Sequence, residues 1–195
     1  EKFQLTIVAS ACLFSSSAFG QALASAELMQ SAYRDSINLL LNNFAHPDIA
    51  KGAVIASPSK SYPDYFYHWT RDAALTHEGV YHTYKYTSDA QLKEKLLSAA
   101  KDWIAFETRA QINSEREVGG LGEPRFFVDG SVNNAEWGRP QNDGPAARAI
   151  TMSLWALEFL KSGDSDYVNN NLYKAELPAT SPIKKDLEYV AYHWR

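Results

Sequence analysis

The stretch PAARAITMSLWALEFL, Pro145–Leu160, holds only Arg148 and Glu158 as charges among its apolar residues. A segment this long and this apolar is a helix buried nearly all round, because no apolar stripe has a polar face opposite it. Its ends are marked. Asn142 or Asp143 can cap the start, Pro145 suits the first turn, and Ser162-Gly163 supplies the stop. A buried helix needs neighbours, so the rest of the chain is expected to supply more helices.

Four further helical patterns are present. From Ser25 to Phe44, Met29, Tyr33, Ile37, Leu40 and Phe44 alternate at spacings of four and three. Thr70 can cap a second helix from Arg71 to about Tyr84, with Asp72 in its first turn where the helix dipole favours a carboxylate. Ser88 and Gln91 form a potential capping box for a third, which carries Leu92, Leu96, Ala99, Trp103, Phe106 and Ala110 along one stripe. Ser181-Pro182 opens the last, with Ile183, Leu187, Val190 and Trp194 expected inward. No strand ladder is evident. Two long irregular segments, 45–69 and 113–143, are rich in aromatics, Gly, Pro and Asn, and long ordered loops are often functional. The fold class is therefore all-α, with elaborated loops carrying a site at one end.

The first of these loops ends in YFYHWTRDAALT, Tyr65–Thr76, where four aromatics run into Arg71 and Asp72. Aromatic faces cover the apolar C–H patches of a sugar ring, and an Arg beside a carboxylate forks hydrogen bonds onto neighbouring hydroxyls. The competing structural readings are core packing for the rings and a solvated ion pair for Arg71 and Asp72.

Composition narrows the partners. The formal charge of −4, from 19 basic and 23 acidic residues without a long run of either sign, gives no footprint for nucleic acid or an anionic membrane. Five histidines, at positions 46, 68, 77, 82 and 193, do not make a metal site, since His77 and His82 are too widely spaced for a helical i,i+4 pair. No phosphate loop, nucleophile elbow or dinucleotide fingerprint occurs, and no cofactor is expected.

Residues 1–24 have the outline of a secretory signal peptide: Lys2, the apolar Leu5–Phe14, then small residues, with Ala22-Leu23-Ala24 as the cleavage site and Ala18-Phe19-Gly20 as the alternative. The mature domain is expected over 25–195, secreted or periplasmic, with no membrane attachment after cleavage. The lone Cys12 lies within the signal segment.

Three segments carry a resemblance: SPSKSYPDYFYHWTRDAALT at Ser57–Thr76, GLGEPRFFVDGS at Gly120–Ser131, and WGRPQNDGPAARA at Trp137–Ala149. In this order and spacing the chain resembles glucoamylases of glycoside hydrolase family 15, from roughly Ala45 to Trp194. The resemblance implies an incomplete (α/α)6 barrel, roughly the first four to five of twelve helices. It also implies inverting hydrolysis of terminal α-1,4-linked glucose from starch-like chains by a full-length monomer. By motif, Arg71 and Asp72 would hydrogen-bond the terminal glucose, Tyr65 and Trp69 would line the deepest subsite, and Trp137 would stand by the second sugar. Arg139 and Gln141 would orient the surroundings of the general acid. Arg125 falls where the family often has Lys, and the swap keeps the charge but not its geometry.

Inversion requires two carboxyl groups about 6.5 to 9.5 Å apart, and the matched motifs assign that role to no residue here. Glu123, Asp129 and Glu136 read as loop structure. The general acid is expected soon after the segment Asp186–Trp194, beyond Arg195, and the base farther on. The chain is expected to be the amino-terminal part of an enzyme and inactive alone. The alternatives are a non-catalytic carbohydrate-binding protein, or an α/α barrel glycosidase acting on dextran ends or trehalose.

Overall fold

The computed structural model describes residues 18–193, with side chains from residue 25. Most of the expected signal segment, with Cys12, lies outside the described residues, as does Trp194. The described residues divide into two compact units between Leu41 and Asn42. In the first, α1 runs as one helix over Ala18–Asn42, so the helical pattern expected from Ser25 extends back through Ala22-Leu23-Ala24. No helix among the described residues is long and apolar enough to cross a membrane.

The second unit holds α2 (Thr70–Tyr86), α3 (Ala90–Ser114), α4 (Asp143–Lys161), α5 (Ser165–Asn171) and α6 (Pro182–His193). Helix α4 is the hub. It packs against α2 and α6, and α2 packs in turn against α3. Trp103, Trp155, Phe106, Met152 and Leu96 are fully enclosed, and Trp155 meets Tyr81 edge-on with ring centroids 5.4 Å apart. Aromatic pairs in this geometry gain from the ring quadrupole as well as from burial.

Burial of α4 is not complete, contrary to expectation. Ile150, Leu157 and Leu160 stand about half exposed, because α2 and α6 cover its other sides and none of the described elements covers this one. The α4 terminator is as expected: Gly163 takes φ 84°, and its N–H and that of Asp164 bond back to the carbonyls of Leu160 and Phe159. This is the Schellman arrangement. Asp164 then accepts from Tyr167 N and caps α5, a short helix the apolar periodicity does not announce.

Three capping assignments change. Thr70 does not cap α2; its hydroxyl donates instead to the carbonyl of Glu123 at 3.0 Å. Asp89, rather than Ser88, caps α3 by accepting from the amides of Gln91 and Leu92. Asn142 makes no side-chain cap on α4, its oxygen accepting from Tyr189 Oη at 2.9 Å. In α6 the inward residues are Ile183 and Asp186, while Leu187 faces out and Val190 is half-buried. A charged partner at Arg148 draws Asp186 inside, which an apolar pattern cannot register.

The strand content is small. β1 (His68–Trp69) pairs antiparallel with β2 (Arg125–Phe126), setting Trp69 opposite Arg125 and His68 opposite Phe126. Around them Ala53, Phe106, Ala110 and Phe126 form a compact cluster.

Candidate functional site

The two-residue sheet joins the first long loop to the second, and Thr70 tightens the joint by donating its N–H to Pro124 O at 3.0 Å. Gln141 N donates to Gly122 O at 2.8 Å, which brings in the third segment. Gly122 has no room for a side chain: a Cβ there would strike Tyr189 and Pro140. Segments far apart in sequence thus meet at the amino-terminal ends of α2 and α4.

Rings form the wall. Trp69 meets Trp137 edge-on at 5.1 Å between centroids and Tyr65 at 6.4 Å. Trp69 is buried and its indole Nε1 has no hydrogen-bond partner, whereas Tyr65 and Trp137 remain roughly 40% exposed. An enclosed donor without a partner is costly unless something supplies an acceptor. The guanidinium of Arg125 lies 4.7 Å from the Tyr67 ring, 4.9 Å from Trp137 and 5.5 Å from Trp69. Its Nη2 reaches Asn133 Oδ1 at 3.4 Å, and its Nε is unpartnered. The planar cation here holds three rings together, a role for which a flat guanidinium is suited.

Charges form the rim. Arg71 donates to Asp143 at 2.7 Å and stands 3.9 Å from Asp72, so its firm partner is in the third segment rather than beside it. Hydrogen bonding to Asp143 raises the Arg71 pKa further above the ordinary arginine value. Arg139 contacts Glu123 at 3.0 Å and donates to the carbonyls of Asn133 and Ala135. Gln141 donates through its side chain to Gly138 O at 3.1 Å. Glu123 is buried in that pairing; Asp129 bonds Ser131, which lowers its pKa, and Glu136 is exposed on the loop.

The candidate residues brought together here are therefore aromatic and hydrogen-bonding, and three motifs in a fixed order supply them. A model of the family described as glycosyl hydrolases family 15 matches residues 30–195. The chain belongs to this family.

Among relatives in family 15, the glucoamylase of Blastobotrys adeninivorans is 42% identical over 162 residues, covering 80% of this chain and 25% of that protein. Glucoamylase 1 of Rhizopus oryzae is 40% identical over 156 residues, covering 80% and 24%. The solved glucoamylase of Hormoconis resinae superposes with a TM-score of 0.73 at 34% identity, over 86% of this chain and 28% of that one. That of Saccharomycopsis fibuligera gives 0.67 at 36%, over 82% and 35%. The chain spans about a quarter of the length of the curated relatives it matches. Its helices are an incomplete (α/α)6 barrel of the glucoamylase type.

Beneath the family 15 loops lies a charge network that the sequence reading did not single out. Glu107 Oε1 accepts from His68 Nε2 at 3.0 Å and Trp103 Nε1 at 3.1 Å, and its Oε2 accepts from Arg148 at 2.9 Å. Arg148 then forks onto both oxygens of Asp186 at 2.7 Å. Burial pushes the Glu107 carboxyl up, but the surrounding His68 and Arg148 outweigh it and hold the pKa at about 2. The signal was faint but present: Glu107 follows Trp103 by four residues on the buried stripe, and Arg148 sits four before Met152.

Proposed function

We propose that this chain forms the sugar-holding part of a glucoamylase, an enzyme that hydrolyses terminal α-1,4-linked glucose from starch, glycogen or maltooligosaccharides with inversion. Arg71 and Asp72 hydrogen-bond hydroxyls of the terminal glucose; Tyr65 and Trp69 line its subsite; Trp137 faces the second sugar. Arg125, Arg139 and Gln141 hold these groups in place. The carboxyl pair that cuts the bond belongs, in this reading, to parts of the barrel beyond the quarter that the chain spans. The protein is secreted or periplasmic after removal of residues 1–24, and the whole enzyme works as a monomer.

One observation carries the reading. A buried indole N–H with no partner stands in a wall of half-exposed rings, a few residues from an exposed Arg and its carboxylates. A neutral ligand with flat apolar faces and many hydroxyls satisfies both parts at once. The test is a titration of the chain with maltoheptaose, followed by tryptophan fluorescence, beside an assay for released glucose. Saturable binding without glucose release is expected. Absence of binding would overturn the assignment of roles, and release of glucose by the chain would overturn the placement of the carboxyl pair.

A further inference from the structure

We propose that Arg148 is a positioning residue which, through Glu107 and His68, sets the sugar-facing wall at Trp69 in register with helix α6. The inference rests on the reading of that wall as a sugar site and adds residues that no sugar touches.

His68, Glu107, Arg148 and Asp186 are each at most 1% exposed and come from β1, α3, α4 and α6. Every polar edge is used. His68 Nδ1 accepts the Val54 N–H at 3.0 Å, which leaves Nε2 as the hydrogen-bond donor to Glu107 Oε1. Glu107 passes the connection to Arg148, and the far edge of Arg148 grips Asp186 in a fork. The His68 ring is further wedged against Phe106 at 4.5 Å and Phe126 at 6.3 Å.

Successive side chains of a strand point to opposite faces. Fixing His68 on the inner face therefore fixes the direction of Trp69, its neighbour, on the outer one. The other end of the network reaches the site as well: Tyr189, on the same helix as Asp186, donates to Asn142 at 2.9 Å, next to the Asp143 that pairs with Arg71. Both the ring wall and the charged rim are thus referred to one buried guanidinium.

A buried ion network is a poor device for stability alone, since well-packed apolar residues of like volume commonly stabilise as much or more. Directed bonds can do what apolar packing cannot, which is to admit one register and reject its neighbours. Removing one member leaves a bond of its direct partner unmade in the buried interior, and the shared partners Glu107 and Arg148 couple that loss to the rest of the network.

The experiment compares maltoheptaose affinity in the parent chain and in His68→Leu, His68→Gln, Arg148→Lys and Val80→Ala, at a temperature where thermal melts show each folded. Gln retains a donor that reaches Glu107. Lys keeps the charge but cannot fork onto Asp186 while holding Glu107. Val80→Ala lowers stability in the buried core without a polar contact. We expect His68→Leu and Arg148→Lys to bind about tenfold more weakly, His68→Gln to stay near the parent, and Val80→Ala to bind as the parent does. If His68→Leu does not fold, His68→Asn carries the same expectation, since it keeps an acceptor for Val54 N–H and falls short of Glu107. Unchanged affinity in both network variants, or equal weakening in Val80→Ala, would overturn the inference while leaving the sugar site intact. A parent chain that binds no maltoheptaose overturns the sugar-site reading and this inference with it.

Discussion

Arg71 and Asp143, 72 positions apart in sequence, meet at 2.7 Å. Arg71 is in the first turn of α2 and Asp143 opens α4, so the contact ties the amino-terminal ends of two packed helices. Both side chains are about half exposed, and solvent screens such a pair, which makes its contribution to stability small. Its consequence is orientation, because the shared carboxylate holds the guanidinium at the rim where Asp72 also lies.

Replacing Asp143 by Ala is therefore expected to change unfolding free energy by less than about 1 kcal/mol and yet to weaken maltoheptaose binding. Arg71→Ala should weaken it more, by roughly tenfold, through loss of charged hydrogen bonds to hydroxyls. Denaturant unfolding paired with fluorescence titration separates the two effects. A large stability loss with unaltered affinity would contradict the account.

Trp137 is a good site for testing stacking, since it is only partly buried. Trp137→Ala should cost little stability and reduce affinity by about three- to tenfold. Trp137→Phe should recover most of the loss, as measured by isothermal titration.

His77 lies flat against Trp103, with centroids 4.6 Å apart and an interplanar angle of 11°, and neither ring nitrogen has a hydrogen-bond partner. Burial lowers its pKa from 6.5 to about 3. A histidine held neutral in the fold contributes stability that is intact above its unfolded pKa and lost as pH falls, because only the unfolded chain takes up the proton. Between about pH 6.5 and 3 that loss runs at roughly 1.4 kcal/mol per pH unit. The His77→Phe variant should show a shallower decline of stability with acid across this window, read from melts at stepped pH. Equal slopes in the two proteins would show that His77 protonates in the fold.

Gly52 and Gly120 both have positive φ, at 87° and 52°, but differ in surroundings. A Cβ on Gly52 would overlap the backbone carbonyl of Asp102 and press on Phe106, whereas Gly120 faces open space. Gly120→Ala should therefore cost only the left-handed backbone penalty, about 1 to 2 kcal/mol. Gly52→Ala adds overpacking to that and should cost at least about 2 kcal/mol more than nothing but strain would suggest at an open site. Thermal melts that ranked the two variants in the opposite order would contradict the packing of the Gly52 loop against the middle of α3.

Local chemistry and pattern were enough to place α2, α3, α4 and α6 and the Gly163 stop, because apolar spacing and a residue free to take positive φ act within a few turns of chain. The same local information recorded the three motif segments and the aromatic and charged residues proposed to hold a sugar. Where the sequence reading missed, a distant partner had changed what a residue does. Thr70 gives up capping to bond Glu123 O, Asn142 accepts from Tyr189 instead of capping the start of α4, and Asp186 turns inward because Arg148 waits there. Arg71 likewise sits beside Asp72 in sequence and bonds Asp143 in space. Sequence alone determined which side chains were available and which helices would carry them. The tertiary structure alone decided their partners, since a hydrogen bond or ion pair is made with whatever lies within about 3 Å and proximity across 72 residues is a property of the packed helices.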